Sequence, residues 1–309
     1  MDDNNLKILN EARIRLRKNY LESGNFGEVL NCLDQPKTQE ERDLASFCHY
    51  ELSKNSCVTG KFSDAKSHAV ALEQLKPTSQ VIRSLNASRL KLLNTPRYAI
   101  PADISCSPGI VSIPGMGDVP VLDKYVVYGH KNMITQCIHI LKKAPEEMEE
   151  NEIKERPKLI EALGVTLWNT IRQLSFSSSV DVLVPIPADP DRYSIRMYHP
   201  PDAIAKAISL WSAIPLEAYI LHKTRETRSL RGLQHYERAD EIKGSIAIDK
   251  GRQFVIKDRC VLLVDDVVTW GTHFREATRV LIQAGAGKVV ACALASAHGE
   301  LIAIKETLS

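Results

Sequence analysis

Apolar and polar residues follow two different patterns along the chain. Residues 1–93 place apolar residues at helical spacing, as in "LKILNEARIRLRKNYLES". From about residue 121, the aliphatic runs "VDVLVPIP", "CVLLVDDV" and "KVVACALASA" alternate with amphipathic stretches and are typical of buried strands. Alternating strands and helices predict an α/β fold with a mostly parallel sheet. The pattern therefore predicts an all-α domain over 1–95, followed by an α/β domain over 121–309.

A weak internal echo runs through the helical half. The letters "GNF" at 24–26 recur as "GKF" at 60–62, each before a helical pattern. The second copy, "GKFSDAKSHAVALEQLKP", resembles the second helix of a tetratricopeptide repeat, in which small residues let paired helices approach closely. Two units are fewer than the three that such arrays usually need, so a plain helical bundle stays an equal alternative. Both interpretations predict that 1–95 contacts a protein partner.

The two halves are separated by a segment rich in Pro and Gly. Residues 96–120 read "PRYAIPADISCSPGIVSIPGMGDVP". Such punctuation is typical of irregular structure. We expect a linker here that runs into an edge strand or an irregular cover.

Bulk composition narrows the classes of protein. With 44% hydrophobic and 25% charged residues and a net charge of +2, the chain has an ordinary globular composition, which argues against a general nucleic-acid coat. It has no apolar run of membrane-spanning length, and its start lacks the features of a signal peptide, so we expect a cytoplasmic protein without a membrane partner. The seven cysteines include no CxxC pair, which argues against a disulfide framework or a structural zinc site.

The stretch "VLLVDDVVTWGT" carries the strongest chemical signal. Its aliphatic run reaches two adjacent carboxylates, Asp265 and Asp266, and then a Thr–Gly–Thr turn that leads into a helix. Ligands of parallel α/β sheets bind beyond the carboxyl ends of the strands. The turn and the helix N-terminus provide backbone N–H groups for an anion, and the hydroxyls of Thr269 and Thr272 add hydrogen bonds. Carboxylates would repel a phosphate but suit hydroxyls or a metal, which predicts a ligand with a phosphate at one end and sugar hydroxyls at the other.

Three other interpretations compete with a phosphosugar site. A nucleotide-hydrolase metal strand is disfavoured because the chain has no GxxxxGK[ST] loop. A phospho-receiver acid pair would follow the first strand of its domain, whereas this pair lies near the end of the chain. A solvated strand end followed by a Thr helix cap stays open.

Four segments together resemble a known family. "VLLVDDVVTWGT" is similar to the phosphoribosyl-pyrophosphate (PRPP) binding signature of type I phosphoribosyltransferases. The segments "YVVYGHKNMITQCIHILK", "VPIPADPDRYSIRMY" and "KTRETRSLRGLQHYER" resemble the ComF-like branch of that family, which is associated with competence for DNA uptake in bacteria. They occur in the family's order and span roughly 121–298. The chain thus resembles a ComF-like type I phosphoribosyltransferase with a helical, tetratricopeptide-like N-terminal extension.

This resemblance implies an activity and a fold. The expected fold is the Rossmann-like, mostly parallel sheet of type I phosphoribosyltransferases. The expected reaction transfers a phosphoribosyl group from PRPP to an unknown acceptor and releases pyrophosphate. Mg²⁺ would take part, held mainly by ligand oxygens and water rather than directly by the protein.

The resemblance also assigns roles to residues. The catalytic acid pair, Asp265 and Asp266, would hold the ribose hydroxyls, and its charge would favour the developing cation. The 5′-phosphate would bind Thr269, Trp270, Gly271, Thr272 and His273. The pyrophosphate would bind the turn at Pro187 and Ala188 together with Arg192 and Arg196. A flexible hood over the pyrophosphate would contain Lys223, Arg225, Thr227 and Arg238.

Several positions depart from the family pattern. Leu230 stands where the family has Gln, and Glu241 stands where it has Asn. Trp270 replaces a small or hydroxylated residue and either stacks on a base or a partner, or packs under the loop. His273 stands where Thr or an apolar residue is usual. The changes at 230 and 241 favour the alternative of a catalytically weak PRPP or nucleotide sensor.

The basic segment 223–238 supports a third alternative. Besides a hood, its cations suit a nucleic-acid surface or a solvated helix face. A nucleic-acid surface would fit a protein of DNA uptake, repair or anti-phage (antiviral) defence. A homo-oligomer is also compatible, because shared active sites are common in the type I family.

Overall fold

The chain forms two compact units, residues 1–94 and residues 95–309. The computed structural model of the protein describes residues 18–33, 35–94, 104–196, 198–228 and 235–304, without the side chains of 191, 192, 235 and 236. Within these ranges, no helix combines the length and the apolar character that a bilayer crossing needs.

The first unit is built from helices. After a helical stretch over 18–22 come α1 (Phe26–Leu33), α2 (Gln39–Val58), α3 (Phe62–Leu75) and α4 (Gln80–Asn94). Helix α2 begins with a capping box, in which the Thr38 hydroxyl accepts from the Glu41 N–H and the Glu41 carboxylate accepts from the Thr38 N–H. Val29, Leu33, Ala45 and Cys48 form a buried cluster between α1 and α2.

The two copies of the sequence echo form turns of the same geometry. Gly24 and Gly60 both take positive φ, at 70° and 75°. In each turn the N–H of the following residue donates to the carbonyl five residues earlier, which ends one helix, and a Phe opens the next. The echo therefore has a structural counterpart, while the tetratricopeptide-like array stays a prediction.

Helices α2 and α3 share a pair of histidines. The Nδ1 atoms of His49 and His68 lie 3.0 Å apart, and their ring centroids are separated by 5.3 Å. One ring must therefore donate and the other accept, which requires at least one neutral ring. Burial, followed by the charge of His68, lowers the pKa of His49 from 6.5 to about 4, and burial also lowers the pKa of His68.

Over its described residues, the second unit contains eight strands. They are β1 (Gly109–Ile113), β2 (Gly117–Lys124), β3 (Val180–Pro185), β4 (Leu221–Lys223), β5 (Ile246–Ile248), β6 (Cys260–Val268), β7 (Lys288–Ser296) and β8 (Ile302–Ala303). Its helices are α5 (Met133–Lys142), α6 (Glu150–Ile171), α7 (Pro190–Arg196), α8 (Pro200–Ser212), α9 (His235–Ile242) and α10 (Thr272–Gln283).

The main sheet has six strands in the order β3-β6-β7-β2-β1-β8. Strands β3, β6, β7 and β2 are parallel, and β1 runs antiparallel to both of its neighbours. Strands β4 and β5 form a separate two-stranded sheet. The runs Val261–Val264 and Val182–Val184 are fully buried because helices α6 and α8 pack on the parallel strands. The predicted α/β fold with a mostly parallel sheet is confirmed.

Two predicted boundaries in this unit are wrong. Residues 109–120, assigned to the linker, form the β1–β2 hairpin and join the sheet through β7. The predicted strand "YVVYGH" is instead the loop after β2, because the strand ends at Lys124. The Pro and Gly residues of 108–120 lie at the ends and turn of a hairpin rather than in a linker. The local sequence does not distinguish the two, because the hairpin joins the sheet by pairing with β7, far along the chain. The range 96–103 lies outside the described residues.

Helix α6 begins earlier than its proline suggested. It starts at Glu150, so Pro157 lies inside the helix rather than near its start. The acidic stretch predicted to be a solvated segment forms its first turns, where carboxylates favour a helix N-terminus. Further along, Gly164 packs against α8, and a Cβ at 164 would meet the Ala207 Cβ at 2.4 Å.

We expect Gly164→Ala to destabilise the second unit by about 1–3 kcal/mol through overpacking, although Ala has the higher helix propensity. The measurement is urea unfolding followed by tryptophan fluorescence, because all three tryptophans (Trp168, Trp211 and Trp270) lie in this unit. Ala207→Gly in the same chain removes the opposing Cβ. The double variant should therefore lose less stability than the sum of the two single variants; additive losses would contradict the contact.

We expect acid to destabilise the first unit through His49. Its folded-state pKa is depressed, so the unfolded chain binds more protons. This contribution to stability is complete above about pH 6.5 and is lost as the pH falls toward 4. Thermal melts followed by far-ultraviolet circular dichroism across this range should show a smaller pH dependence for His49→Gln. The exposed His222, changed to Gln, is the control that should leave it unaltered.

Candidate active site

The acid pair lies on a central strand, at the edge where its neighbour has ended. Pairing between β3 and β6 stops at Pro185 and Val264, whereas β6 continues alongside β7 as far as Val268. Asp265 and Asp266 are thus within the strand rather than after it, and half-buried. Because β3 no longer covers that side of β6, this is the carboxyl-edge position at which parallel sheets bind ligands.

The two carboxyl groups have different surroundings. Asp265 Oδ1 accepts the Asp266 N–H at 2.8 Å, and Lys142 Nζ lies 2.8 Å from Asp266 Oδ2. Burial, together with the charge of Asp266, raises the pKa of Asp265 well above its usual value. Burial also acts to raise the pKa of Asp266, but the Lys142 ammonium outweighs it and the pKa of Asp266 is lowered. As the pH falls, Asp265 takes up a proton first.

The loop after β6 is shaped by its glycine. Gly271 takes φ 69° at the N-terminus of α10, and a Cβ there would meet Ile113 Cγ2 at 2.4 Å. Glycine is required on both counts. It brings the backbone of 271–273 close against the β1–β2 hairpin at the start of a 12-residue helix.

Thr272 provides a buried polar group at this helix N-terminus. It is 7% exposed, and its hydroxyl oxygen has no hydrogen-bond partner within the described ranges. A buried hydroxyl without a partner costs free energy unless a ligand satisfies it. Thr269 is exposed and His273 is half-buried. The hydroxyl and the helix N-terminus together form a site that suits an anion.

Trp270 packs within the chain. Its ring centroid lies 3.4 Å from that of His298, at an interplanar angle of 35°. Its carbonyl accepts from Arg275 Nη1 at 2.7 Å, and the Arg238 guanidinium lies 5.7 Å from its ring centroid. The geometry favours the packed interpretation of this side chain over stacking on a ligand base. The contact with Arg238 connects α9 to residues 269–273, which we call the phosphate loop after the ligand group expected there.

The loop after β3 lies beside the acid pair. The Ile186 N–H donates to the Val264 carbonyl at 2.9 Å, and His199 Nε2 donates to the Ile186 carbonyl at 2.8 Å. Pro187 is buried and Ala188 is half-buried. Arg196 is half-buried at the end of α7, and the side chain of Arg192 lies outside the described residues.

Both described ends of the basic segment reach this site. The N–H and the hydroxyl of Thr227 donate to Asp189 Oδ2 at 3.4 and 3.3 Å, next to the Pro187–Ala188 turn. At the other end, Arg238 contacts Trp270. Lys223 Nζ donates to Ser245 Oγ at 3.4 Å. Residues 229–234, including Leu230, lie outside the described residues.

Glu241 engages two cations of this segment. Its carboxylate accepts from the Arg228 N–H at 2.9 Å and from Arg228 Nε at 2.8 Å, and Arg225 Nη1 lies 3.3 Å from Oε1. Hydrogen bonds from Arg228, followed by the Arg225 contact, lower the pKa of Glu241 to about 2. The carboxylate that departs from the family pattern thus occupies arginines of the expected hood.

Tyr198 lies close enough to the acid pair for the charge of Asp266 to affect the pKa of its hydroxyl. The Arg156 guanidinium lies 4.7 Å from the Tyr198 ring centroid. Burial raises the pKa of Tyr198, and the charge of Asp266 adds to this effect. The Tyr198 hydroxyl and Arg156 Nη1 are buried without hydrogen-bond partners among the described residues.

Sequence reasoning found the loops but missed their partners. The fold brings together the acid pair, the turn at Pro187, the phosphate loop and the ends of the basic segment. Sequence reasoning missed three contacts: Lys142 with Asp266, Asp189 with Thr227, and Arg156 with Tyr198. For Lys142 a signal existed, since it closes the family-like stretch "CIHILK", but its partner could not be read from the sequence.

Comparisons with known proteins show similarity over part of the chain. No protein-family model matches the chain. Competence protein F from Haemophilus influenzae is 29% identical over 119 residues, which are 38% of this chain and 51% of that protein. The chain therefore spans about half the length of this curated relative.

Among solved structures, the glutamine PRPP amidotransferase from B. subtilis, complexed with ADP and GMP, matches 57% of this chain and 33% of its own. Its identity is 17% and its TM-score is 0.32, too low to support an argument. The relative and the four ordered segments make the chain similar to the ComF-like branch of the type I phosphoribosyltransferases, and its mostly parallel sheet is the α/β fold expected from that similarity.

Proposed function

We propose that this protein binds PRPP at the carboxyl edge of the sheet and transfers its phosphoribosyl group to an acceptor. The observation that carries the proposal is the placement of the acid pair and the Thr272 hydroxyl on one strand–loop–helix unit. A buried hydroxyl without a partner and a helix N-terminus suit the 5′-phosphate. The acid pair, a few residues earlier, suits the ribose hydroxyls.

The chemistry follows from this arrangement of charges. The acceptor attacks the anomeric carbon, the bond from that carbon to the pyrophosphate oxygen breaks, and its electron pair leaves with pyrophosphate. The acceptor gives up its proton to water. Positive charge develops on the ribose, and the carboxylates stabilise it because they are already in place. The Pro187–Ala188 turn, Arg196 and Arg192 are proposed to receive the pyrophosphate.

Magnesium is proposed to enter with the ligand. The described residues contain no group of three or more His, Cys, Asp or Glu that could hold a metal ion. Asp266 is already paired with Lys142. Ligand oxygens and water would therefore form the shell of the ion, and the ion would neutralise the charge of the leaving pyrophosphate.

A sensor without turnover is the second candidate, and Glu241 favours it. The carboxylate holds Arg225 and Arg228, two cations that the hood would otherwise direct to pyrophosphate. The same contacts weaken the nucleic-acid alternative, because they neutralise part of the basic segment. Saturable PRPP binding without pyrophosphate release, tested against a panel of acceptors, would select the sensor.

We expect Asp265→Asn/Asp266→Asn to weaken PRPP binding roughly 100-fold or more, since hydrogen bonds to charged groups contribute about 1.5–3 kcal/mol each. The measurement is calorimetric titration of PRPP in the presence of Mg²⁺, repeated with EDTA to remove the metal. EDTA should weaken binding in the wild-type protein. Asp64→Asn, an exposed change in the first unit, is the control and should bind as wild type does. Absence of binding in folded wild-type protein would refute the proposal.

We expect Thr272→Val to separate binding from stability. Valine keeps the shape and removes a buried hydroxyl that has no partner in the described structure, so the Tm should stay the same or rise. PRPP affinity should fall roughly 10-fold or more through loss of a hydrogen bond to a charged phosphate, worth about 1.5–3 kcal/mol. Thr278→Val, in the same helix, is the matched control. Unchanged affinity in Thr272→Val would place the phosphate elsewhere.

A further inference from the structure

Two adjacent carboxylates repel a polyanion, and the Lys142 ammonium offsets part of their negative charge. Its ammonium lies 2.8 Å from Asp266 Oδ2. The two side chains are 31% and 13% exposed, so the pair is largely screened from water. When both carboxyl groups are ionised, the Lys142 ammonium reduces the net charge of the group of three from two negative charges to one.

Lys142 is held in place by its own helix and by the loop before it. It lies in the last turn of α5, where a cation is favoured by the helix dipole. Its Nζ lies 5.9 Å from the centroid of the Tyr125 ring. Tyr125 in turn stacks on His139, and its hydroxyl lies 3.1 Å from His139 Nε2.

The surroundings of His139 define its tautomer. Lys131 Nζ, which can only donate, lies 3.3 Å from His139 Nδ1. Nδ1 therefore accepts, and Nε2 carries the proton and donates to Tyr125. The start of α5 is tied to the same loop, because Asn132 Oδ1 accepts from the Thr135 N–H and Thr135 Oγ1 accepts from the Val126 N–H. The Lys142 ammonium is therefore positioned by Tyr125 and His139, in a loop that is hydrogen-bonded to the start of α5.

We propose that Lys142 is a positioning residue of the acid pair, the fixed counter-charge that holds Asp266 in place and lets an anionic sugar phosphate approach both carboxyl groups. The inference rests on the proposed function for its ligand, but the contact itself does not. A merely structural ion pair would stabilise α5 without changing the charge that a ligand meets.

The charge of Asp266 gives this proposal a distinct readout. The Lys142 ammonium lowers the pKa of Asp266 against the effect of burial. Other titratable groups also face the pair. The charge of His199 lowers the pKa of Asp266, the charge of Asp266 raises the pKa of Tyr198, and the charge of Asp265 raises the pKa of Cys292. They stay the same in all the variants below, so a difference between variants reports Lys142.

The experiment compares Lys142→Met, Lys142→Arg and a matched control. Lys143→Met is the control, because Lys143 is the next residue and forms a similar ion pair, at 2.6 Å, with Glu152 instead of the acid pair. Two quantities are measured in each full-length protein. One is the pH midpoint of the Asp265 and Asp266 carboxyl-carbon signals by NMR without ligand, and the other is the Kd for PRPP with Mg²⁺ across the same pH range.

Lys142→Met should raise the pH midpoint of Asp266, the lower of the two carboxyl midpoints, by about 1–3 pH units. This is the effect of losing an opposite charge at this distance. PRPP binding should be lost at a correspondingly higher pH, with a Kd roughly 10-fold or more above wild type near neutrality. Lys142→Arg should restore both values, and Lys143→Met should change neither. Equal behaviour of Lys142→Met and Lys143→Met would overturn the proposal.

Two further results keep the outcomes separate. If wild-type protein binds no PRPP at any pH, the proposed function fails, while the carboxyl midpoints still decide whether Lys142 is the counter-charge. If Lys142→Met does not fold, Lys142→Gln provides the second test, because glutamine keeps a hydrogen-bond donor beside Asp266 and removes only the charge. Its midpoint for Asp266 should rise as in Lys142→Met, and an unchanged midpoint would again overturn the proposal.

Discussion

The placement of two acidic side chains at the open edge of a buried strand is the constraint on which this structure depends. Strand β6 lies between β3 and β7, and its first five residues are fully packed. The same strand must then present Asp265 and Asp266 where β3 has ended. Burial of two adjacent carboxylates is costly without a counter-charge. Lys142, on a helix that precedes β6 by more than a hundred residues, supplies it.

The phosphate loop meets a steric constraint of a different kind. Gly271 is pressed against Ile113 of the β1–β2 hairpin, so the loop cannot take a side chain at that position. The hairpin therefore does more than cover the edge of the sheet, since it supports the backbone that would meet a phosphate. Trp270 supports the other side of the loop through His298 and Arg238. The unusual tryptophan is accommodated because its ring packs on the protein.

The described ends of the basic segment contact both loops, and two of its arginines, Arg225 and Arg228, are already paired. Asp189 holds Thr227 beside the proposed pyrophosphate turn, and Glu241 holds Arg225 and Arg228. These surface ion pairs contribute little to stability. Under the proposed function, a pyrophosphate would have to compete with the Glu241 carboxylate for the same guanidinium groups. The outcome of that competition would separate a transferase from a sensor.

The sequence by itself determined the α/β class, the three buried parallel strands β3, β6 and β7, and the loops that follow β3 and β6. These features are local: an aliphatic run, a Thr–Gly–Thr turn or a helix start depends on residues within a few positions. Local pattern failed where the partner was distant, as for the hairpin at 109–124 and the interior proline of α6. The contacts of Lys142 with Asp266, Gly271 with Ile113 and Thr227 with Asp189 join residues far apart in the chain. Only the tertiary structure decided them, because packing brings the elements together and no spacing along the chain encodes which side chains then meet.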